Sequence, residues 1–191
     1  MKVHLETDRM LLREFTLADA DLLFELDNDP EVMRYINGGL PVPRIEIEDD
    51  VLPAFIGYHQ RGDGYGFWAA IEKNSNRFLG WFHLRPQHGS NPLEPELGYR
   101  LHRFAWNRGL ATEGSIALID YGFKNLGVEH ITAETMVVNV ASIRVMQKAG
   151  MRQIRLFRAE WPVRIPGDEL GDVRYAIDRS ERKSVASAAS N

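Results

Sequence analysis

Apolar positions in the first third of the chain recur at strand-like and helix-like intervals. Leucine, methionine and phenylalanine stand among charged residues from Leu5 to Phe15, which predicts one strand. Thr16 is expected to begin a helix, because Asp19 three residues later completes a capping box. The segment Asp29-Pro30 restarts that helix as a short second turn, which Asn37-Gly38-Gly39 ends. Four leucines form the apolar stripe of the first helix: Leu17, Leu22, Leu23 and Leu26.

The middle of the chain predicts one helix followed by three strands. Ile45 to Gln60 has a helical pattern, and Pro53 within it predicts a bend or break. The strands that follow cover 67–71, 78–82 and 96–101. We expect these three strands to form an antiparallel meander.

The last third alternates helices with strands. A helix is predicted from Ala111 to Leu126, where Gly127 stops it, and another from Ser142 to Lys148, where Gly150 ends it. The remaining predicted strands cover 130–135, 153–157 and 173–177.

This order of elements predicts an α/β domain with a central mixed sheet. The sheet has about seven strands, is mostly antiparallel, and carries helices on both faces. We assign residues 1–177 to this single domain. Residues 178–191 are rich in serine, alanine and charged side chains, and we expect them to form a mobile tail.

Composition excludes several functions. A net charge of −4 argues against a protein that binds nucleic acid by neutralising phosphates. No run of about 18 apolar residues is present, so we expect no membrane span. The chain has no cysteine, which excludes disulfides and thiolate chemistry and is typical of a cytoplasmic protein. None of the six histidines pair at the spacing of a helical zinc site, so no metal is expected.

The segment from Trp106 to Glu113 is placed where a predicted strand passes into a predicted helix. Such a junction presents free backbone N–H groups and the positive end of the helix dipole to an anion. Gly109 and Ala111 are small, so a pyrophosphate can approach the backbone there. Taken alone, this pattern more often belongs to an ordinary loop that enters a helix.

Residues Leu101 to Thr112 resemble motif A of the GNAT acetyltransferases, in which a strand leads into an Arg/Gln-x-x-Gly-x-Gly/Ala loop. Trp106 stands in the usual Arg/Gln position, which the family tolerates because its phosphate contacts are largely backbone. The pattern Trp-x-x-Gly-x-Ala-Thr-Glu is similar to the RimJ/RimL-type branch. Three further segments resemble that branch: Leu5 to Arg13, Asp29 to Met33 and Glu96 to Leu101.

This resemblance implies a GNAT-like sheet and an N-acetyltransferase that uses acetyl-CoA and no metal. The acceptor would be an amine on a small molecule or at a protein N-terminus, and both a monomer and a homodimer remain open. The resemblance also implies which residues bind the cofactor: Leu101, Arg103, Asn107, Arg108, Gly109, Leu110, Ala111, Thr112, Asn139 and Ser142.

A second segment, Asn139 to Met151, resembles motif B of the superfamily. The resemblance implies that Asn139 bonds the cofactor or a water and that Ser142 lies near the thioester sulfur. Asn139 acting only as a helix cap is an equal alternative. Many family members carry a tyrosine where Met146 stands, and methionine cannot donate a proton. Ser142 or a water would therefore protonate the thiolate, unless it leaves unprotonated.

The acceptor amine must lose a proton before it attacks, because an ammonium has no lone pair. Glu96 is the candidate base, since several family members use a carboxylate from this position, and Glu94 is the second choice on the same face. Solvent exposure of Glu96, or its pairing with an arginine, is an equal alternative. A backbone N–H near Tyr99 to Leu101 would stabilise the carbonyl oxygen, and in the family a strand bulge beside a splayed neighbour frees that donor.

The resemblance implies an acceptor pocket between the early helices and the final hairpin. The acidic stretch from Arg44 to Asp50 either attracts a cationic amine or is a solvated helix face. Gly64 to Trp68 lines either a pocket or the core. Trp161-Pro162 and Pro166-Gly167-Asp168 lie in the long loop of the final hairpin, where loops often shape specificity.

Two other functions compete with an amine acetyltransferase. A catalytically idle acyl-CoA-binding regulatory module would need the loop at Gly109 but no base. A nucleotide-binding phosphotransferase would need a lysine after the glycine turn, where this chain has Leu110.

Overall fold

The computed structural model describes residues 2–86, 91–160 and 163–182. Its strands form one eight-stranded sheet in the order β1-β2-β3-β4-β5-β6-β8-β7. All neighbouring pairs are antiparallel except β5 and β6, which are parallel, so the predicted mixed sheet is confirmed. The strands are β1 (Val3–Glu6), β2 (Met10–Glu14), β3 (Gly66–Glu72), β4 (Phe78–Arg85), β5 (Glu96–Leu101), β6 (His130–Met136), β7 (Arg152–Phe157) and β8 (Asp172–Asp178).

The sheet has eight strands rather than seven because the first predicted strand is a hairpin. β1 and β2 pair antiparallel, with Leu5 opposite Leu12. The N–H of Thr7 donates to the carbonyl oxygen of Met10 at 2.9 Å and closes the turn between them. Leucines on both arms of a short hairpin resemble one amphipathic strand, which is why the apolar pattern concealed the turn.

The helices flank the sheet on both faces, as predicted. Helices α1 and α4 cover one face, here called the front, where Leu23, Leu26 and Phe55 pack with Phe67 and Trp81. Helices α5 and α6 cover the other face, here called the rear. Each fully buried leucine stabilises the fold by about 1.5–3 kcal/mol. The helices are α1 (Ala20–Asp27), α2 (Pro30–Met33), α3 (Arg44–Glu46), α4 (Leu52–Gln60), α5 (Leu110–Asn125) and α6 (Val140–Lys148).

Two local predictions about the early helices meet different outcomes. The capping box is confirmed, since the backbone N–H of Thr16 donates to Asp19 Oδ2 at 2.8 Å. Of the leucine stripe, Leu17 is exposed, whereas Leu23 and Leu26 are fully buried.

Pro53 does not break its helix. A π-helical turn at Ile47–Val51 joins α3 to α4 instead, and it accommodates a residue that has no N–H to donate.

Strands β5 and β6 separate soon after they meet. Their parallel ladder holds one register pair, Glu96 with Thr132. By contrast, β5 pairs with β4 along its whole length, from Glu96 opposite Arg85 to Leu101 opposite Gly80. A gap therefore opens between β5 and β6 toward their carboxyl ends. The expected bulge in β5 is absent from the ladder between β4 and β5. A register irregularity is found instead between β3 and β4.

The start of the expected tail belongs to the domain. Asp178 is the last residue of β8, and Arg152 Nη2 lies 2.8 Å from its carboxylate. Arg182 Nε lies 2.7 Å from Asp120 Oδ1 on α5. Residues 183–191 lie outside the described residues.

Candidate functional site

The loop between β5 and α5 follows a tight path. Trp106 donates a hydrogen bond from Nε1 to the carbonyl oxygen of Leu101 at 2.8 Å, which ties the loop back to its strand. Asn107, with φ 58°, and Gly109, with φ 76°, are both left-handed, a conformation that glycine and asparagine tolerate best. The tryptophan in the family's Arg/Gln position thus anchors the loop with its side chain and leaves the backbone for a ligand.

Helix α5 presents an open N-terminus at the end of this loop. Its first internal hydrogen bond runs from the N–H of Glu113 to the carbonyl oxygen of Gly109 at 3.0 Å. The N–H groups of Leu110 to Thr112 precede that bond, and no side chain among the described residues caps the helix. These groups carry about +0.5 of an elementary charge. The arrangement fits a diphosphate held by backbone N–H groups.

The two arginines predicted to bind the cofactor are engaged in ion pairs. Arg103 Nε lies 2.7 Å from Asp29 Oδ2, and Arg108 pairs with Glu72. Both guanidinium groups are partly exposed, and each has its charge balanced by a carboxylate partner. Their ion pairs also fix the loop to α2 and β3.

A third arginine at this loop was missed by sequence reasoning. Arg9, in the turn between β1 and β2, donates from Nη1 to the carbonyl oxygen of Arg108 at 2.8 Å. It also donates from Nε to Glu113 Oε2 at 2.6 Å, while Thr7 Oγ1 donates to Glu113 Oε1 at 2.6 Å. The signal was present, because Thr7-Asp8-Arg9 and Thr112-Glu113 belong to the two motifs that resemble the same branch.

The buried environment of Glu113 does not keep it neutral. Burial raises the pKa of its carboxyl, but hydrogen bonds from Thr7 and from the backbone and side chain of Arg9 outweigh it and leave the pKa lowered. Glu113 is therefore an ionised group beside the N-terminus of α5.

The gap between β5 and β6 exposes backbone donors of β5. The N–H of His102 donates to the carbonyl oxygen of Leu79 in β4 at 2.9 Å. Because alternate N–H groups of a strand point to opposite edges, those of Tyr99 and Leu101 point away from β4 and toward β6. The missing neighbour, rather than a bulge, is what leaves these donors open.

Asn139 is a helix cap in this structure. Its side-chain oxygen accepts from the N–H of Ser142 at 3.2 Å, and its Nδ2 donates to Thr135 Oγ1 at 3.0 Å. Both ends of the amide are thus used within the protein. The contacts shown are those of the alternative in which Asn139 fixes the start of α6.

Ser142 shares a hydrogen bond with a tyrosine from the central strand. Tyr99 Oη lies 2.9 Å from Ser142 Oγ, and the pair bridges β5 and α6 across the rear of the gap. Burial raises the pKa of Tyr99 to about 12, although the hydrogen bond with Ser142 opposes that shift. The phenol therefore stays protonated and able to donate. Met146 is buried below the same helix face.

Glu96 lies on the front face at the start of β5. Its carboxylate Oε2 is 3.6 Å from Arg85 Nη2, so the arginine pairing considered above is present. Arg85 Nε in turn donates to His83 Nδ1 at 3.1 Å. Burial, with smaller effects from nearby arginines, lowers the pKa of His83 to about 3, so the ring is a neutral acceptor. Glu94 is exposed and lies in the bend that precedes the strand.

The expected acceptor segments fall into three groups. Phe67 stacks on Phe55 at 3.9 Å, which makes the 64–68 aromatic stretch core rather than pocket. A surface groove of about 520 Å³ lies along the acidic helix, lined by Pro43, Ile45, Glu46, Asp49, Asp50 and Val51. In the final hairpin, the N–H of Ile165 donates to Asp168 Oδ2 at 3.1 Å, and Trp161-Pro162 lies outside the described residues.

Two further kinds of feature are absent from the ranges 2–86, 91–160 and 163–182. No group of three or more histidine, cysteine, aspartate or glutamate side chains there is arranged to hold a metal ion. No helix in those ranges has the length and apolar character needed to cross a membrane.

Comparison with known proteins adds a family match. Residues 9–152 match the acetyltransferase (GNAT) domain family. The chain is 37% identical over 161 residues to the uncharacterized protein YkkB of Bacillus subtilis, covering 82% of this chain and 90% of that protein. It is 32% identical over 178 residues to FsC-acetyl coenzyme A-N(2)-transacetylase of Aspergillus fumigatus, covering 88% and 70% respectively.

Solved structures share the fold. An acetyltransferase (GNAT family) from Bacillus anthracis superposes with a TM-score of 0.73 at 25% identity, over 94% of this chain and 99% of that one. RimL, a ribosomal alpha-N-protein acetyltransferase in complex with coenzyme A, superposes with a TM-score of 0.75 at 17% identity, over 93% and 98%. A spermidine N-acetyltransferase from Vibrio cholerae, in complex with CoA and spermine, has a TM-score of 0.70 at 16% identity, over 90% and 96%.

Proposed function

The chain belongs to the GNAT acetyltransferases, in the RimJ/RimL-type branch, and is an N-acetyltransferase that uses acetyl-CoA; from that premise we propose that a primary amine attacks the thioester directly, with Glu96 as general base. A thioester is already activated, so the reaction needs no covalent enzyme intermediate. The observation that carries the proposal is the open N-terminus of α5 beside the gap between β5 and β6.

The cofactor is held along β5, from the loop to the gap. Its diphosphate lies against the N–H groups of Leu110 to Thr112, where the helix dipole favours an anion. Its pantetheine arm enters the gap between β5 and β6, where the backbone groups of the two strands are not paired with each other. The thioester carbonyl oxygen gains negative charge during attack, and the N–H groups of Tyr99 and Leu101 are the donors that face it.

The base acts from the front face. Glu96 begins β5 and lies opposite Thr132 at the narrow end of the gap. A carboxylate there takes a proton from the ammonium, directly or through a water, because only the neutral amine can attack. Arg85 holds the carboxylate in place from the neighbouring strand.

The leaving group is served from the rear face. The hydroxyl of Ser142 lies on the side of α6 that faces the gap and is hydrogen-bonded to the hydroxyl of Tyr99. We assign to this pair the relay of a proton from the attacking nitrogen, which is cationic once the C–N bond has formed, to the thiolate as the C–S bond breaks, a role that Met146 cannot fill. Asn139 supports the pair by capping the helix that carries Ser142.

The acceptor is a cationic amine. Residues 19–50, which include α1 and α2, carry ten carboxylates against two arginines, whereas the whole chain has a net charge of −4. Three of the ten, Asp19, Asp27 and Asp29, pair with arginines outside the segment, and the others leave it with an excess of negative charge. This segment creates a negative field that attracts amines before they reach the site. Polyamines, aminoglycosides and a protein N-terminus are the acceptors of structural neighbours, and the first two have the charge that this field favours.

The test is acceptor-dependent thiol release. Purified protein is mixed with acetyl-CoA and a panel of di- and polyamines, aminoglycosides and peptides, and free thiol and acetylated product are both quantified. The proposal expects thiol release that depends on a cationic amine and matches the product formed. Tight CoA binding without such release across the panel would instead indicate the idle regulatory module.

A further inference from the structure

The hairpin turn at Thr7 to Arg9 holds the cofactor loop from outside it. Arg9 makes three hydrogen bonds to this region: its backbone N–H and Nε donate to Glu113, and its Nη1 donates to the carbonyl oxygen of Arg108. Thr7 adds a fourth contact to Glu113. These residues are about a hundred positions apart in sequence, so the link is between two motifs rather than within one.

Both groups that Arg9 engages would oppose an anion at this place. Glu113 lies in the first turns of α5, within about 6 Å along the axis from its N-cap, and it is ionised. The carbonyl oxygen of Arg108 carries partial negative charge and belongs to the loop that meets the anion. An unpaired carboxylate and an unengaged carbonyl at an anion site would repel a diphosphate.

We propose that Arg9 is a positioning residue for the cofactor loop: it neutralises Glu113 and holds the carbonyl of Arg108, so that the α5 N-terminus presents only donors to the diphosphate. The inference rests on the proposed function, because it concerns the same cofactor site. Nη2 of Arg9 lies 3.5 Å from where a side-chain carbon at Gly109 would be, so direct contact with the diphosphate is the competing explanation.

The two explanations differ in what removal of Glu113 does. If Arg9 acts by neutralising Glu113, then Glu113→Gln should restore part of the CoA affinity that Arg9→Ala loses. If Arg9 only contacts the diphosphate, the second substitution restores nothing. S-acetylpantetheine has no diphosphate, so under either explanation its reaction should not depend on Arg9. A loss of activity on S-acetylpantetheine would indicate a general loss of structure instead.

The experiment is calorimetric titration of CoA, with kinetics on acetyl-CoA and S-acetylpantetheine, for wild type, Arg9→Ala, Glu113→Gln and the double variant. Arg9→Ala should raise the CoA Kd and the acetyl-CoA KM at least about tenfold, with kcat within about threefold. The double variant should regain at least about threefold in Kd. Activity on S-acetylpantetheine should be the same in wild type and Arg9→Ala.

Arg61→Ala is the matched control. Arg61 lies shortly before Gly64, which is close to Tyr121 and Leu126 at the carboxyl end of α5. The substitution therefore removes one positive charge near the end of α5 that is opposite to the cofactor loop. A 16-residue helix separates the two ends by about 24 Å, so CoA affinity should not change. If Arg9→Ala fails to fold by circular dichroism, Arg9→Gln replaces it, because glutamine removes the charge but keeps a long polar side chain, and the same partial restoration by Glu113→Gln is expected.

Three results would overturn the inference alone: unchanged CoA affinity in Arg9→Ala, no restoration in the double variant, or an equal loss with S-acetylpantetheine. Absence of CoA binding by the wild type would overturn the proposed function as well. The two failures are therefore distinguishable.

Discussion

Glu96, the proposed base, and Arg85 face each other across neighbouring strands. The guanidinium of Arg85 lies 3.6 Å from the carboxylate of Glu96 and forms an ion pair with it. It also fixes the direction of a side chain that otherwise has several rotamers. His83 completes the row, because its neutral ring accepts from Arg85 and cannot repel it.

Replacing this carboxylate should slow the reaction without weakening cofactor binding. We expect Glu96→Gln to lower kcat by about 100-fold, in the usual range for a general base, and to shift the rise in activity to higher pH. The measurement is the pH–rate profile with saturating acetyl-CoA, together with the CoA Kd. Glu94→Gln, at an exposed position before β5, is the control and should match wild type. An unchanged profile in Glu96→Gln would exclude it as the base.

The Tyr99–Ser142 pair should behave as one unit. We expect Ser142→Ala and Tyr99→Phe each to lower kcat by about tenfold or more, and the double variant to lose little beyond the larger single loss. Such non-additivity follows if one proton passes through both hydroxyls. Fully multiplicative losses in kcat would contradict a shared role.

For individual residues, the sequence motifs indicated which side chains belong to the candidate site but not which partners they contact. Glu96, Ser142 and Asn139 could be named from motifs, but the cap made by Asn139 and the phenol beside Ser142 could not. Tyr99 is 43 positions from Ser142, and only the packing of α6 against β5 brings them together. Arg9 was missed for the same reason, because its partners belong to another motif.

The loop between β5 and α5 is the element on which the cofactor site depends. Its geometry combines two left-handed residues with a helix that no described side chain caps. Neither feature involves a titratable catalytic group. The element can therefore be disabled without touching the base or the Tyr99–Ser142 pair.

A substitution pair at Gly109 separates charge from backbone strain. Gly109→Ala puts a side chain on a left-handed residue, at a cost of about 1–2 kcal/mol, and should weaken CoA only a few-fold. Gly109→Glu has the same strain and adds a negative charge, so we expect CoA affinity to fall at least about 100-fold while the fold is kept. Titration calorimetry with melting curves checks both. Equal affinities in the two variants would contradict an anion site here.

Most elements could be predicted from the apolar pattern, and the exceptions have physical causes. The β1–β2 hairpin was not predicted because half-buried Leu5 and fully buried Leu12 stand at compatible spacings on either side of a three-residue turn. The separation of β5 from β6 could not be derived from either strand, because it depends on which backbone groups find a partner across the chain. The resemblance to a family, rather than periodicity, is what raised that expectation.

Across the whole molecule, buried histidines link stability to pH. Burial, with a smaller effect of His59, lowers the pKa of His4 to about 4, and burial lowers the pKa of His83 to about 3. Near pH 6.5 these two histidines bind protons in the unfolded chain but stay neutral in the folded chain. Their contribution to the free energy of unfolding is therefore fully present above pH 6.5 and is lost as the pH drops toward 4.

His4 provides a specific test of this linkage. Its ring stacks on Trp68 at 4.3 Å, and its Nε2 has no partner among the described residues. His4→Phe keeps the stacking and removes the titrating group, so the loss of unfolding free energy between pH 6.5 and 4 should shrink by about 2 kcal/mol, a value reduced for partial solvent access. Urea unfolding at four pH values measures it. Identical pH dependence in both proteins would contradict the assignment.

The proposed function depends most on a diphosphate bound to the backbone where β5 leads into α5. The most direct measurement is a titration of ¹⁵N-labelled protein with coenzyme A, followed through its amide resonances. We expect the largest shifts at Arg108 to Thr112, followed by Tyr99 and Leu101 in the gap, and we expect Gly109→Glu to abolish them. Shifts confined to other parts of the sheet, or no shifts at all, would contradict the proposed function.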